Sequence, residues 1–161
     1  MAKKIAIIWC AFLAMILPYA FGQKPDASLI PWTRSTEGQI EATLKPGSTY
    51  VLYGNTKEDI KIVGNGATIF IPDGEEWLIE AENQISLSNL TVAGGGKLTA
   101  LSAALQDYTG ITFADTANGI FINSAGNVLI KQCNFLRITD TGIWLNGGAN
   151  CTVEQCEFKD F

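Results

Sequence analysis

The chain contains no histidine. That excludes histidine-based catalytic triads and histidine-liganded zinc from the segment. Charge is scarce as well, at 17% of residues, and skewed in sign, with 11 basic against 16 acidic residues and no basic stripe. An acidic surface of this kind argues against nucleic acid and anionic membrane as partners. Long apolar runs are limited to one at the amino terminus, from Ile5 to Leu17. It is too short for a comfortable membrane span, and no stop-transfer pattern follows it. Cysteine is equally sparse. Beyond Cys10 in that run the chain has Cys133, Cys151 and Cys156. An odd number cannot all pair within one molecule, so these three read as small apolar core fillers, not as a disulfide framework.

What is present is enough for one packed domain: 161 residues, 47% of them apolar. The first 22 residues read as a signal peptide. Lys3 and Lys4 precede the apolar run, Pro18 follows it, and Ala20 and Gly22 supply the small residues that signal peptidase requires, placing cleavage before Gln23. The expected location is therefore secreted or cell envelope, extracellular or periplasmic, with no stable membrane insertion after cleavage. The mature chain would carry 9 basic and 16 acidic residues, a net charge of −7.

A repeat then sets the fold. With Gly119 placed over Gly142, the apolar positions recur after 23 residues: Ile120 on Ile143, Ile122 on Leu145, Val128 on Cys151, Ile130 on Val153, Cys133 on Cys156, Phe135 on Phe158 and Ile138 on Phe161. Asn123, Asn127 and Gln132 recur as Asn146, Asn150 and Gln155. A weaker copy lies upstream, where Trp77, Ile79, Ile85, Leu87, Leu90 and Val92 occupy matching places at a spacing of 43. Periods of this length mark solenoids. Within a copy the apolar residues alternate every second position, in three short stretches separated by Gly, Asn, Ser or Thr turns, which is strand periodicity. Three strands per turn of chain predict a triangular coil, and stacking such coils pairs each strand in parallel with its copy about 4.8 Å away. A leucine-rich repeat has a similar length, but its ladder asparagine would be expected where Ile138 stands, and no helical convex pattern is present. The fold class read from the sequence is all-β, a parallel β-helix of about 23 residues per coil.

The pattern Gly-Ile-x-Ile…Asn-Val-x-Ile-x-x-Cys-x-Phe at Gly119 to Phe135, repeated at Gly142 to Phe158, resembles the right-handed parallel β-helix repeat of pectate-lyase-like proteins. The segment Ile60 to Ile69 is similar to an early coil of the same superfamily, so the resemblance covers roughly residues 47 to 161. It rests on packing residues. The superfamily includes polysaccharide lyases, pectin-type hydrolases, phage tailspikes and non-catalytic adhesins, so the fold alone does not fix the function. It does imply polysaccharide as a partner. It also implies calcium, held by outward-facing acidic residues with Arg or Lys as base, as a cofactor in a full-length lyase; no cofactor is evident in these residues themselves.

Along the chain, Gln23 to Trp32 reads as a mobile leader, and residues 23–46 together as leader and amino-terminal cap, with Gln39 to Leu44 the best cap element. Coils are expected over 47–161, interrupted by a loop insertion at about 99–118 in which Leu98 to Leu105 would form a short helix. The last coil leaves Ile143, Leu145, Val153, Cys156, Phe158 and Phe161 without a following layer, so the chain is expected to continue beyond Phe161.

Candidate chemistry is thin. Outward positions fall at Phe121 and Trp144, Leu129 and Thr152, and Asn134 and Glu157, with no facing pair of carboxylates. Asp115 and Asp140, each in the turn before the first strand of a coil, come nearest to a pair, and Arg137 could meet Asp140 locally; structural turn roles are the commoner outcome for all three. The best binding feature is Phe121 below Trp144. Either sugar rings stack on this aromatic pair, or it is a ladder that stabilises strand stacking. Asn127 over Asn150 reads as a turn ladder and Lys131 above Glu154 as an exposed ion pair. The sequons at Asn89 and Asn150 matter only in a eukaryotic secretory host. Two functions follow: a polysaccharide lyase or glycoside hydrolase whose catalytic coils lie outside this segment, or a non-catalytic adhesin or glycan-binding scaffold.

Overall fold

The computed structural model describes residues 30–101 and 104–161. The signal peptide expected at 1–22 and most of the leader lie outside them. Every regular element among the described residues is a strand. The first coil consists of β2 (Ile40–Thr43), β3 (Thr49–Val51) and β4 (Gly54–Thr56), preceded by β1 (Thr33–Arg34). In the second, β5 (Ile60–Phe70) runs through two sides of the triangle and β6 (Glu76–Glu80) forms the third; β7 (Gln84–Ala93) and β8 (Lys97–Leu101) repeat this in the third coil. The fourth is β9 (Leu105–Thr109), β10 (Thr112–Ala114) and β11 (Asn118–Ser124), the fifth β12 (Asn127–Lys131), β13 (Asn134–Leu136) and β14 (Thr141–Gly147). Two sides of a sixth follow, β15 (Asn150–Glu154) and β16 (Glu157–Lys159).

All pairings between coils are parallel, and apart from a shift between Val63 and Ala67 where β5 meets β7 they keep one register, so like positions stack into columns. One inward column runs Ile40, Ile60, Ile85, Gln106, Val128, Cys151. Another runs Val92, Phe113, Phe135, Phe158, and its rings stack nearly flat, 4.9 Å apart between Phe113 and Phe135 and 4.8 Å between Phe135 and Phe158. These spacings are the strand-to-strand distance itself, so the backbone ladder sets the ring stack. Burial of such side chains is worth roughly 1.5–3 kcal/mol each. The corners between the first and second sides of the coils are turned by residues in the left-handed region, Asn65 with Gly66, Asn89, Gly110, Gln132 and Gln155, which is where short polar side chains and glycine are tolerated.

The sequence-based expectations need three corrections. Residues 99–118 are not an insertion. They belong to a full coil: Leu98 and Ala100 pair between Trp77 and Ile120 and between Ile79 and Ile122, and Phe113 sits in the phenylalanine column. The helix expected at Leu98 to Leu105 is replaced by β8 and the start of β9. Secondly, the leader does not extend to Trp32, because Ile30 is buried in the core and Trp32 packs against it. Thirdly, Ile40 to Thr43 is the first side of the first coil, in register with Ile60 to Val63, and not a separate cap. The capping element is β1, which pairs antiparallel with β2 and so occupies its otherwise open edge.

Candidate functional site

The face made by β4, β6, β8, β11 and β14 carries the candidate residues. Its alternation turns Trp77, Leu98 and Ile120, with Ile79, Ala100 and Ile122, into the core. The residues between them point outward in a column of Asn55, Leu78, Thr99, Phe121 and Trp144. Phe121 and Trp144 are thus neighbours as expected, with ring centroids 5.9 Å apart, but tilted by 34°. They form two facets of a ridge and not one flat plate. Trp144 is 45% exposed while Phe121 is half-buried. One reason is Lys97, whose ammonium lies 4.2 Å from the Phe121 ring centroid in a cation–π contact. Lys97 is followed along its own column by Gly119 and Gly142, and that bare track leaves room for the lysine to lean across. Gly119 is itself enforced: a Cβ there would come 2.0 Å from the carbonyl oxygen of Gly142.

The third outward column of this face is Glu80, Leu101, Asn123 and Asn146. Charges on the face are neutralised in place. Glu76 accepts Lys97 at 3.6 Å and is hydrogen-bonded by the Thr99 hydroxyl. Glu80 accepts Asn55 at 2.7 Å and Lys57 at 3.5 Å, and that hydrogen bond with the nearby ammonium holds its carboxyl below the usual range.

The aspartates do not form a pair. Register puts Asp115 in line with Arg137, whose guanidinium donates from Nε at 2.5 Å and from Nη2 at 2.7 Å. This two-pronged contact holds the Asp115 carboxyl below its ordinary value. Asp140 is in line with Ala117 instead, its backbone amide bonding that carbonyl at 2.9 Å. Arg137 therefore meets Asp115 one coil away, and not Asp140 locally. The turn ladder between Asn150 and Asn127 forms at 3.0 Å, and Lys131 reaches Glu154 at 2.8 Å.

The sequence reading missed an outward column on the second side of the coils: Thr49, Thr68, Thr91 and Thr112, continued by Asn134 and Glu157. The signal was available in threonines preceding an apolar residue once per coil, but the unrecognised fourth coil broke the series. Cys133 is buried, Cys156 partly so and Cys151 exposed, all as free thiols. Burial pushes the Cys133 thiol up to about 11. Of the two sequons, Asn89 is exposed at a corner, whereas the Asn150 amide is engaged with Asn127.

The calcium implied by the resemblance does not fit the residues here. Calcium wants six to eight oxygen ligands. The two outward carboxylates of this face, Glu76 and Glu80, are each bound to a lysine, and no group of three or more potential ligands gathers among the described residues. No helix among them is long and apolar enough to cross a membrane.

Comparison with curated proteins and with solved structures gives no match. The family model for the right handed beta helix region matches residues 44–161, from the end of β2 to the last residue. With the parallel columns, the left-handed corners and the strands that make up every regular element of the described residues, this match shows that the chain belongs to the right-handed β-helix family.

Proposed function

We propose that the chain is part of a secreted protein that contacts polysaccharide through the face bearing Phe121 and Trp144. The observation that carries the reading is this aromatic pair, outward on adjacent coils and partly open to solvent. Exposed aromatic rings on a rigid sheet provide apolar area without an ordering cost, and the apolar faces of pyranose rings stack on them. Right-handed β-helix proteins are often carbohydrate-active, which agrees with this reading.

Between an enzyme and a scaffold, the described coils favour binding. On the aromatic face both outward carboxylates are engaged in ion pairs, Glu76 with Lys97 and Glu80 with Lys57, and elsewhere Glu41, Asp115 and Glu154 pair with Lys61, Arg137 and Lys131. A lyase or glycoside hydrolase would have to place its acid and base away from this face. The test is affinity electrophoresis of the full chain in gels containing soluble polysaccharides, with Trp144→Ala and Phe121→Ala alongside. Retardation that Trp144→Ala removes supports the proposal. Unretarded migration in every polymer refutes it, and release of reducing ends or unsaturated products would move the assignment from scaffold to enzyme.

A further inference from the structure

On the polysaccharide reading of this face, we infer that its polymer is an uncharged one, and that Asn123 and Asn146 are its polar contacts. Two observations carry this. The first is the state of the amides. The asparagine columns of the fifth coil and its neighbours differ sharply. Asn150 and Asn127 bond to each other at 3.0 Å and serve the ladder. Asn123 and Asn146, also stacked in register and exposed, hold no side-chain hydrogen bond with any described residue. Each stands two residues after an aromatic on the same strand, so it lies on the same outward face, about 7 Å along the strand. A sugar ring stacked on Trp144 presents hydroxyls around its rim, and a free amide at that distance offers both a donor and an acceptor to them.

The second observation is the charge. Over β11 and β14 the outward positions are Gly, Phe and Asn, then Gly, Trp and Asn, without a charged side chain. The closest cation, Lys97, is already shared between Glu76 and the Phe121 ring. A polyanion would find no free counter-charge there, and it would approach a chain of net charge −5. An uncharged polymer meets neither obstacle.

The experiment is calorimetric titration of the full chain with soluble xylan, glucomannan and mixed-linkage glucan, and with polygalacturonate and alginate, at low and high salt. Asn123→Leu, Asn146→Leu and Trp144→Ala are compared with the native chain, with thermal unfolding as the control for folding. The expected result is binding to at least one neutral polymer that salt leaves unchanged. Each asparagine variant should bind about tenfold more weakly. Binding confined to polygalacturonate or alginate overturns the inference while leaving the polysaccharide reading intact. Neutral binding that Trp144→Ala removes but both asparagine variants retain overturns the role of the amides. Failure of every polymer to bind overturns the polysaccharide reading itself.

Discussion

Replacing Gln106 and Tyr108 together with apolar residues of similar shape should raise the stability of the protein, although neither change alone should. Gln106 occupies an inward column between Ile85 and Val128, and Tyr108 the next between Leu87 and Ile130. Both are fully buried. Burial pushes the Tyr108 phenol well above its ordinary pKa, so the hydroxyl stays protonated and donates to Gln106 Oε1 at 2.7 Å. The other end of the amide, Nε2, is buried with no acceptor. An unsatisfied buried polar group costs about 1–3 kcal/mol. The native pair leaves one such group. Gln106→Leu also leaves one, the tyrosine hydroxyl, and should sit within about 1 kcal/mol of native. Tyr108→Phe leaves two, both ends of the amide, and should lose about 1–3 kcal/mol. The double variant leaves none and should gain a similar amount. Urea unfolding followed by tryptophan fluorescence gives the four free energies by linear extrapolation. A double variant less stable than the native chain refutes the reasoning, and would mean that a trapped water satisfies the amide in the native core.

Other perturbations test other parts of the stack. Gly119→Ala forces a Cβ against the Gly142 carbonyl and should cost about 1–3 kcal/mol; an unchanged melting temperature would show that the two coils can part there. At Asp59, burial disfavours the charge, but hydrogen bonds from the Asn83 backbone and side chain and from the Gln84 amide outweigh it and lower the pKa. A carboxyl with a depressed folded pKa contributes stability above its unfolded value near 3.9, and the contribution is lost as pH falls through the folded value. Asp59→Asn should therefore be less stable than native at neutral pH and converge on it in acid; a gap that persists below about pH 2 would contradict this. An aromatic disulfide reagent at about pH 8 should label Cys151 quickly and Cys133 only on unfolding, and equal rates in the folded chain would contradict the burial of Cys133.

The solenoid was legible because its strongest coils repeat at one interval. Gly119 to Phe135 and Gly142 to Phe158 align without a gap, and the structure pairs them residue for residue. The fourth coil was not legible for two physical reasons. Its register to the coils on either side is 21 and 22 residues rather than 23, as Ile85, Gln106 and Val128 show, because the corners absorb length changes without disturbing the ladders. Its core positions also hold Gln106 and Tyr108, which read as polar in sequence and as columns only in three dimensions. The aromatic pair was found because both members lie within the regular copies. The cation over Phe121 was not, since Lys97 opens β8, a strand whose following residues from Leu98 read as a helix in sequence.

The same stacking that builds the fold also separates structural residues from free ones. In a parallel solenoid any polar residue repeated at one position meets its own copy about 4.8 Å away. Repetition alone therefore cannot mark a site, because ladders of identical or opposite side chains are how the fold satisfies itself. Asn127 with Asn150 and Lys131 with Glu154 are repeated or complementary, and each is satisfied by its neighbour. Asn123 with Asn146 is repeated to the same degree and left unsatisfied, beside an aromatic pair that is likewise only partly covered. A self-complementary surface has little left to offer a ligand, whereas a repeated row with free donors and acceptors offers the same contact once per coil. A polymer that repeats its own hydroxyls can use such a row several times over, and the binding strength then grows with the number of coils engaged. Chain length of the bound polymer is thus the variable to follow. Affinity that rises from short oligomers and levels off once the polymer spans Phe121 and Trp144 fits a repeated row, whereas affinity independent of length would place the contact on one residue alone.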